Sequence, residues 1–558
     1  MKILKYLLLI LFLIRFTFCF SQTNLNNEVD VVKAYEPKLS DAFKIDILPK
    51  IIDTSITSPT FNYSLDIKQY GVEFLPEPIQ PAKMIGEPLT KLYRHYVKFG
   101  YGNYNTILFD YNFSTLRSKQ SMVGVNISHL SSDSKIKLSN NKKVYSGYSD
   151  NFVEVFGKRF FKTTNLYGDI DYNRNLVHLY GYNPEIDTII KNNDNKQCFT
   201  LVNANAGIAS NYIDSNHLNY NVDLHFHYFE DLFKSYENGL ELSGKFNKKY
   251  LNQLFGGNVK INYNNKNSLL DTMNNSIVNI DPWIKLFVQQ FEIIGGFDMV
   301  SDIYSDSVLY HFYPHLSVDY NIIDNILVPY IGFGGKLEQN SFKKNCYENP
   351  FIKSGVQIKN TNYNTIFFAG LRGNFSSKIS YNLQIKYANI NNMYFFVNDT
   401  TSKAENQFNV VYDNDINVMN YYCEIAYKKS EKLYFLLKGN YYKYTMNYEL
   451  KPWHKPDYEI ALTAKYNIQN KIIVSADIFG IGKRYAKTYI ADSTNNKIII
   501  PKALKEMIDA NLSVEYRYNK NLSAFINFNN IGAVKYYRWN NYPAQQFNLL
   551  GGIIYSFL

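Results

Sequence analysis

From Tyr93 to the C-terminus the sequence repeats one pattern, in which segments of roughly 10–15 residues alternate polar with apolar side chains. In the stretch 459–468, for example, Ile460, Leu462 and Tyr466 alternate with polar neighbours. Successive side chains of a β-strand point to opposite faces, so a period of two gives each strand one apolar and one polar face. The pattern therefore predicts an all-β, antiparallel sheet with one wet face.

Composition distinguishes a soluble sheet protein from a membrane barrel. The 558 residues include 50 Tyr and 39 Phe but 3 Trp, and the mean hydropathy is −0.29. After residue 21, no apolar run reaches the roughly 20 residues that a membrane-spanning helix needs. A closed barrel is the other structure that satisfies its backbone polar groups in lipid, and it needs only every second residue to be apolar. We therefore expect residues 93–558 to form a transmembrane antiparallel β-barrel in the outer membrane.

Short turns indicate the number of strands. Ten can be identified, near 117–119, 162–164, 213–216, 248–251, 289–290, 322–324, 376–378, 429–431, 469–471 and 519–521. In outer-membrane barrels the short turns and both chain ends face the periplasm. Ten such turns join twenty strands in pairs, and the first and last strands raise the count to about 22. The weakly patterned region 391–415 could hide a further hairpin. The long loops then lie outside the cell, at 132–150, 177–198, 341–361, 390–415 and 484–506.

The first 21 residues have the features of a signal peptide. A positively charged start leads into an apolar run, and Cys19 and Ser21 suit cleavage before Gln22. Cleavage removes three cations and lowers the formal charge from +10 to +7 (10 − 3). The remaining basic charge could contact lipopolysaccharide phosphates, or it could reflect Lys-rich solvated loops, and no nucleic-acid partner is expected.

Residues 22–92 differ from the rest of the chain, because they contain seven of its 16 prolines. Proline lacks an amide donor, so this stretch suits neither a helix nor a central strand, and we expect an extended periplasmic arm. Its apolar residues, among them Ile47, Ile51 and Phe61, are too many for a solvated linker. We expect the arm to pack on the barrel lumen, the periplasmic rim or a periplasmic or outer-membrane partner protein.

Two segments place histidines on the polar face of a strand. Asp223, His225 and His227 alternate with apolar residues in one segment, and His311 and His315 do so in the other. Residues i and i+2 of a strand lie about 7 Å apart, near enough to share a ligand such as a metal. These residues are candidates for binding in the lumen, and the alternative is ordinary polar lining. The cysteines show no metal or disulfide spacing, so neither a metal nor another cofactor is predicted.

Aromatic residues offer a second set of candidates. Trp283, Trp453 and Trp539, together with tyrosines at strand ends, are expected in the interfacial girdle of the barrel. Tyr536, Tyr537 and Trp539 also fall in an outer loop, where aromatic rings can stack on a sugar or a partner.

The C-terminal strands carry a family resemblance. The segment 509–518, its continuation 521–531 and the closing strand that ends at Phe557 resemble the last strands of TonB-dependent receptors. The final aromatic is similar to the signal read by the outer-membrane insertion machinery, although Leu558 follows it here. This resemblance implies a 22-stranded outer-membrane barrel of the receptor-like kind common in Bacteroidota.

The N-terminal region resembles the same family in part. Val29, Val31 and Val32 lie in a segment that is similar to a TonB box, and residues 38–42 resemble the start of a plug domain. The family's plug needs more chain than the arm 22–92 offers, so the resemblance implies a receptor-like barrel that lacks the plug. Such a barrel must be closed by the arm, by inward-folded loops or by a partner.

Two functions remain open from the sequence. The first is transport of a solute or polymer across the outer membrane through a TonB-dependent receptor-like barrel without a plug. The second is a closed barrel that serves as a structural or assembly subunit of an outer-membrane complex. The polar lumen face favours the first, whereas the missing plug and the apolar arm favour the second. No catalytic set is identifiable from spacing, so an enzyme is not expected.

Overall fold

The computed structural model of the protein describes residues 92–116, 118–183, 195–212, 216–268, 272–304, 307–402, 404–430, 432–491 and 497–558. The predicted signal peptide 1–21, the arm 22–92 apart from its last residue, and the TonB-box-like Val29, Val31 and Val32 lie outside the described residues.

The described residues contain thirty strands and one α-helix. In chain order the strands are β1 (His95–Gly102), β2 (Thr106–Ser114), β3 (Ser121–Ser132), β4 (Lys135–Lys137), β5 (Lys143–Tyr145), β6 (Tyr148–Phe160), β7 (Thr164–His178), β8 (Lys196–Ser210), β9 (Asn219–Glu230), β10 (Tyr236–Tyr250), β11 (Gln253–Asn267), β12 (Thr272–Val288), β13 (Phe291–Tyr304), β14 (Ser307–Tyr320), β15 (Val328–Glu338), β16 (Thr361–Ser376), β17 (Ile379–Asn391), β18 (Met393–Asn398), β19 (Phe408–Asp413), β20 (Ile416–Lys429), β21 (Leu433–Thr445), β22 (Tyr458–Ile468), β23 (Ile472–Ile481), β24 (Arg484–Ala491), β25 (Lys497–Leu504), β26 (Met507–Arg517), β27 (Leu522–Asn529), β28 (Tyr537–Trp539), β29 (Tyr542–Pro543) and β30 (Asn548–Phe557). The helix α1 spans Phe342–Glu348. Within these ranges, no helix has the length and apolar character required to cross a bilayer.

Twenty-two of the strands form one closed sheet, and the pairs β4–β5, β18–β19, β24–β25 and β28–β29 form separate hairpins. Neighbouring wall strands pair antiparallel, and β1 closes the barrel by pairing with β30, with His95 opposite Phe557. The prediction of an all-β barrel with 22 strands is therefore confirmed, and each of the ten predicted turn positions falls between two consecutive wall strands. The region 391–415 does contain a hairpin, β18–β19, but its two strands form a separate sheet and are not part of the barrel wall.

One face of the wall is apolar and exposed. Leu224 and Phe226 of β9 are exposed, as are Leu242 and Leu240, which lie opposite them in β10. A belt of apolar side chains on the outside of a closed barrel is the surface that lipid requires. The chain is therefore an outer-membrane protein, as its strand pattern predicts.

The other face of the wall carries hydrogen-bonded polar pairs. The Asn203 amide donates to Asp171 at 2.8 Å, and the Asn205 amide donates to Asp169 at 2.6 Å, in each case from β8 to β7. Cross-strand pairs of this kind satisfy polar groups and stabilise the register of the strands. This polar face lines the lumen.

Candidate functional site

The long loops gather at one end of the barrel, which is the outer end because the short turns of such barrels face the periplasm. Their described residues pack against one another and against the inner wall, and we call them the loop cap. The loop cap comprises the described residues of 179–183, 339–360, 392–415, 446–457, 482–506 and 530–547.

The loop cap has an apolar core that continues into the barrel wall. From the loops, the buried side chains are Phe342, Cys346, Ile352, Val356, Ile358, Phe396, Phe408, Val410, Trp539 and Tyr542. From the inner faces of β8, β9 and β12, the residues Phe199, Leu201, Phe229 and Met273 join the same cluster. Complete burial of a large apolar side chain contributes about 1.5–3 kcal/mol. Hydrophobic packing therefore holds these loops to one another and to the inner wall.

Aromatic rings form the centre of this core. Phe351 and Tyr542 stack with ring centroids 3.7 Å apart, and Phe408 lies 5.6 Å from Trp539 by the same measure. The Tyr542 hydroxyl donates to the carbonyl oxygen of Asn406. These contacts join the loops 339–360, 392–415 and 530–547, which are far apart in sequence, so the cap is a tertiary structure and not a set of independent loops.

The helix α1 is tethered to the wall by a buried carboxylate. Glu237 of β10 is 0% exposed, and its Oε2 accepts a hydrogen bond from the amide of Phe342 at 2.6 Å. The Ser341 hydroxyl caps the helix by accepting from the amide of Lys344 at 3.1 Å. Hydrogen bonds to charged groups are the stronger ones, and N-caps satisfy amides that a helix leaves unpaired. Glu237 therefore fixes the start of α1 to the barrel.

His454 joins three loops within the cap. Its Nδ1 lies 2.9 Å from the carbonyl oxygen of Phe396 in β18, and its Nε2 lies 3.3 Å from the amide nitrogen of Asn540 in another loop. Burial, helped by the charges of Arg484 and Lys455, lowers the pKa of His454 to about 3, although the bond to Phe396 acts to raise it. The packing of the cap thus holds this imidazole neutral.

A cavity of about 670 Å³ lies beneath the cap, between its underside and the inner faces of β14 to β23. Its charged lining residues are Asp319, Lys336, Glu338, Lys344, Glu348, Arg372, Lys386, Lys455, Glu459, Arg484 and Arg538, which are seven cations and four anions. Its tyrosines are Tyr330, Tyr347, Tyr363, Tyr394, Tyr422, Tyr442 and Tyr444. The compartment is polar, moderately basic and rich in hydroxyl groups, so it suits a hydrated polar solute.

Ion pairs order this lining. Lys455 donates to Glu348 at 2.7 Å across two loops of the cap, and Arg372 donates to Asp319 at 2.8 Å on the wall. Burial acts to raise the pKa of Glu348, but Lys455 and the hydroxyl of Tyr394 outweigh it and hold the pKa of this carboxyl below its usual range. The underside of the cap therefore stays charged at neutral pH.

The first group of sequence-predicted residues lies on the inward face of β9. Asp223, His225 and His227 share the face that carries the lumen lining. His225 contacts the side-chain oxygen of Asn205, and His227 Nε2 lies 3.2 Å from Glu237 Oε1. His227 thus contacts the carboxylate that tethers α1, which connects this part of the wall to the loop cap.

The second group, His311 and His315, lies on β14. It does not meet the first group on β9, because the strands β10 to β13 lie between β9 and β14. The His311 ring stacks on Tyr313 with centroids 5.8 Å apart, and His315 Nε2 lies 3.7 Å from Asp281 Oδ1. Among the residues that the structure describes, no group of three His, Cys, Asp or Glu side chains is placed to hold a metal ion.

The prediction that the tryptophans form an interfacial girdle is wrong. Trp453 is 0% exposed and Trp539 is 7% exposed, and both lie inside the loop cap. Trp283 of β12 lies over Gly256 of β11 on the lumen face. Tyr536 is also buried, so neither it nor Trp539 presents its ring to an external sugar.

Solved structures share this architecture. The FrpB iron transporter from Neisseria meningitidis matches with a TM-score of 0.65 at 11% identity, over 84% of this chain and 82% of that chain. The ferric-catecholate import receptor Fiu from E. coli K12 matches with a TM-score of 0.62 at 11% identity, over 83% of this chain and 82% of that one. The siderophore receptor PirA from Acinetobacter baumannii matches with a TM-score of 0.65 at 10% identity, over 85% and 81%. No protein-family model and no curated protein sequence matches the chain.

At these identities the likeness shows the fold alone. It agrees with the strand count, so the prediction of a 22-stranded outer-membrane barrel is confirmed.

Proposed function

We propose that this chain is a transport barrel of the outer membrane, of the TonB-dependent receptor-like type, and that the loop cap is its outer gate. The observation that carries the proposal is the polar cavity of about 670 Å³ beneath the cap. A lumen lined by hydrated charges and hydroxyl groups gives a polar solute a favourable path through the membrane. The neighbours FrpB, Fiu and PirA, described as an iron transporter, an import receptor and a siderophore receptor, support the same direction.

We further propose that the barrel has no folded plug and that residues 22–92 act at its periplasmic mouth. In this account Val29, Val31 and Val32 contact a periplasmic partner protein, and the other apolar residues of the arm contact the barrel. Outer-membrane lipid covers the apolar belt, and lipopolysaccharide phosphates contact the basic outer loops.

The inward residues of the wall have a supporting role in this proposal. Polar side chains of two strands line the path of the solute. They are Asp223, His225 and His227 on β9, and His311 and His315 on β14. Each is half-buried or buried on the lumen face and already contacts a polar neighbour or an aromatic ring.

A measurement of ion selectivity tests whether solutes pass through the cavity. Lys386 lines the cavity from β17, so Lys386→Glu reverses one charge on the path. Lys378 lies exposed in a periplasmic turn, and Lys378→Glu makes the same change off the path. In planar bilayers we expect openings whose reversal potential shifts toward cations in Lys386→Glu and much less in Lys378→Glu. Equal shifts in both variants would contradict passage through the cavity.

The packing of the cap favours a second function, a closed barrel that acts as a subunit of an outer-membrane complex. Phe342, Phe408 and Trp453 are each 0% exposed, which is the burial of a permanent core. Gentle detergent extraction of the tagged chain from its native membrane, followed by mass spectrometry, separates the two functions. A stoichiometric partner that is lost on deletion of 22–92, together with a barrel that stays silent in bilayers, would favour the subunit over the transporter.

A further inference from the structure

Both ring nitrogens of His454 are used to hold loops together. One nitrogen contacts the backbone of Phe396 and the other contacts the backbone of Asn540, while His454 itself belongs to the loop 446–457. The ring also packs against Trp539, with centroids 5.2 Å apart, and against Phe408 at 5.5 Å. A single side chain therefore connects three of the six loops of the cap.

The contacts of His454 fix its protonation state. Asn540 presents an N–H group, so Nε2 must accept and cannot carry a proton. Phe396 presents a carbonyl oxygen, so Nδ1 must donate. The geometry therefore requires the neutral imidazole with its proton on Nδ1. A second proton on Nε2 would point at the amide hydrogen of Asn540 and break that contact.

The surroundings of His454 disfavour a positive charge. The residue is 7% exposed, and the charged groups that act on it are both cations, Arg484 of β24 and Lys455 of its own loop. The faces presented by β18 and by the loop 530–547 are a carbonyl, an amide and aromatic rings. Because both of these charged groups are cations, an imidazolium here would be buried without an opposite charge acting on it.

The backbone at His454 is also held in an unfavourable conformation, since its φ is +59°. A non-glycine residue in the left-handed region costs free energy and persists where surrounding contacts hold it. Loss of the ring contacts would release this residue as well as the two loops.

We propose that His454 is a pH-sensitive latch of the loop cap, which holds the gate closed at neutral pH and favours its opening as the pH falls through the range in which a free histidine takes up a proton. The inference rests on the proposed role of the cap as a gate, and it adds the regulation of that gate. The sign follows from linkage. Above pH 6.5 the imidazole is neutral whether the cap is open or closed, and below it only the open cap binds the proton.

The magnitude follows from the same linkage. With an ordinary histidine pKa of about 6.5 in the open cap and no protonation in the closed cap, the opening constant should rise about 30-fold between pH 7.5 and pH 5. Glu348 keeps its charge over this range, because its pKa lies below its usual value in the closed cap.

Cys346 reports the opening directly. Its thiol is 2% exposed in the cap core, so a thiol reagent reaches it only when the cap opens. The measurement uses the full-length chain in nanodiscs with Cys198→Ala and Cys423→Ala, so that Cys346 is the reactive cysteine of the mature chain. Labelling rates at pH 5 and pH 7.5 are divided by those of His454→Gln at the same pH, which cancels the intrinsic pH dependence of the thiol.

His454→Gln is a suitable reference because its amide can donate to Phe396 and accept from Asn540 without titrating. We expect the normalised rate to rise about 30-fold on acidification. His129→Gln makes the same substitution on the wall, where this ring bonds to Asn151 and Ser131, and it should keep the full pH response. A normalised rate that does not change with pH would overturn the latch.

A second measurement leaves His454 in place, in case His454→Gln does not fold. In Trp283→Phe the remaining tryptophans are Trp453 and Trp539, both in the cap. Their quenching by acrylamide should increase between pH 7.5 and pH 5, and constant quenching would contradict the proposal. Neither readout uses conductance. If the barrel conducts but labelling and quenching do not change with pH, the pH latch is refuted and the transport function stands. If labelling and quenching change with pH but the barrel shows no conductance, the transport function is refuted and the pH latch stands.

Discussion

Removal of one ring from the centre of the cap should open it without harm to the barrel. Phe408 begins β19, is 0% exposed, and contacts the rings of His454, Trp539 and Tyr542. Truncation of a buried Phe to Ala costs about 3–5 kcal/mol. If the whole loss falls on the closed cap, Phe408→Ala should raise the opening constant by about 150-fold to 5,000-fold, since about 1.4 kcal/mol is a factor of ten.

The assay is the labelling rate of Cys346 at pH 7.5, in the background with Cys198→Ala and Cys423→Ala. Burial raises the pKa of the Cys346 thiol, so the closed form is unreactive and the rate follows the open fraction. The matched control is Phe375→Ala, in which the lost ring is 67% exposed at the periplasmic end of β16. Heat-modifiable migration of the unheated chain on gels reports that the 22-stranded wall is intact in both variants.

The reasoning would be refuted if Phe408→Ala labelled at the wild-type rate while folding normally. The cap would then not be held by its apolar core. Loss of the folded barrel in Phe408→Ala, with a normal barrel in Phe375→Ala, would show instead that the cap and the wall fold as one unit.

Two further substitutions test the cap in opposite directions. Glu237→Ala removes the acceptor of the buried Phe342 amide, which costs about 1–3 kcal/mol. Labelling of Cys346 should rise roughly 5-fold to 150-fold, and an unchanged rate would show that α1 needs no tether to the wall. Asn345→Leu replaces a 0% exposed amide whose Nδ2 and Oδ1 have no hydrogen-bond partner among the described residues. It should slow labelling by a similar factor, because a buried unsatisfied amide destabilises the closed cap, and faster labelling would mean that this amide is hydrogen-bonded.

The barrel wall could be predicted from the sequence because its signals are local. The alternation in 459–468 and the short turn at 469–471 each lie within a few residues, and antiparallel neighbours follow one another along the chain. Counting turns therefore gave the number of strands without knowledge of any long-range contact.

The loop cap could not be predicted in the same way, because its contacts join residues far apart in sequence. Phe342, Phe408 and Trp539 pack in one core. No periodicity of the sequence relates these three residues, and each lies in a segment that the sequence predicts to be a loop. The sequence places Trp453 wrongly at the lipid interface, because tryptophan is common there. A local sign of the cap core is the aromatic run Tyr394-Phe395-Phe396 inside a long loop. Three consecutive large rings would expose much apolar surface in a solvated loop, so they indicate burial.

The same period of two puts the candidate residues of β9 and β14 on the polar face of the wall. Their partners could not be predicted, because Glu237 comes from the neighbouring strand and Asp281 from the second strand away, and the sequence does not state the register of these strands. His454, which connects three loops, carries no local signal at all.

Single-channel recording of the full-length chain in planar bilayers at pH 7.5 tests the central claim, that the loop cap closes a conducting lumen. The account predicts a wild-type barrel that is closed for most of the record with brief openings, and a Phe408→Ala barrel with long openings of the same unit conductance. Phe375→Ala should behave as wild type. A wild-type barrel that stays open at full conductance, or a Phe408→Ala barrel that stays silent while Cys346 labels rapidly, would contradict the claim.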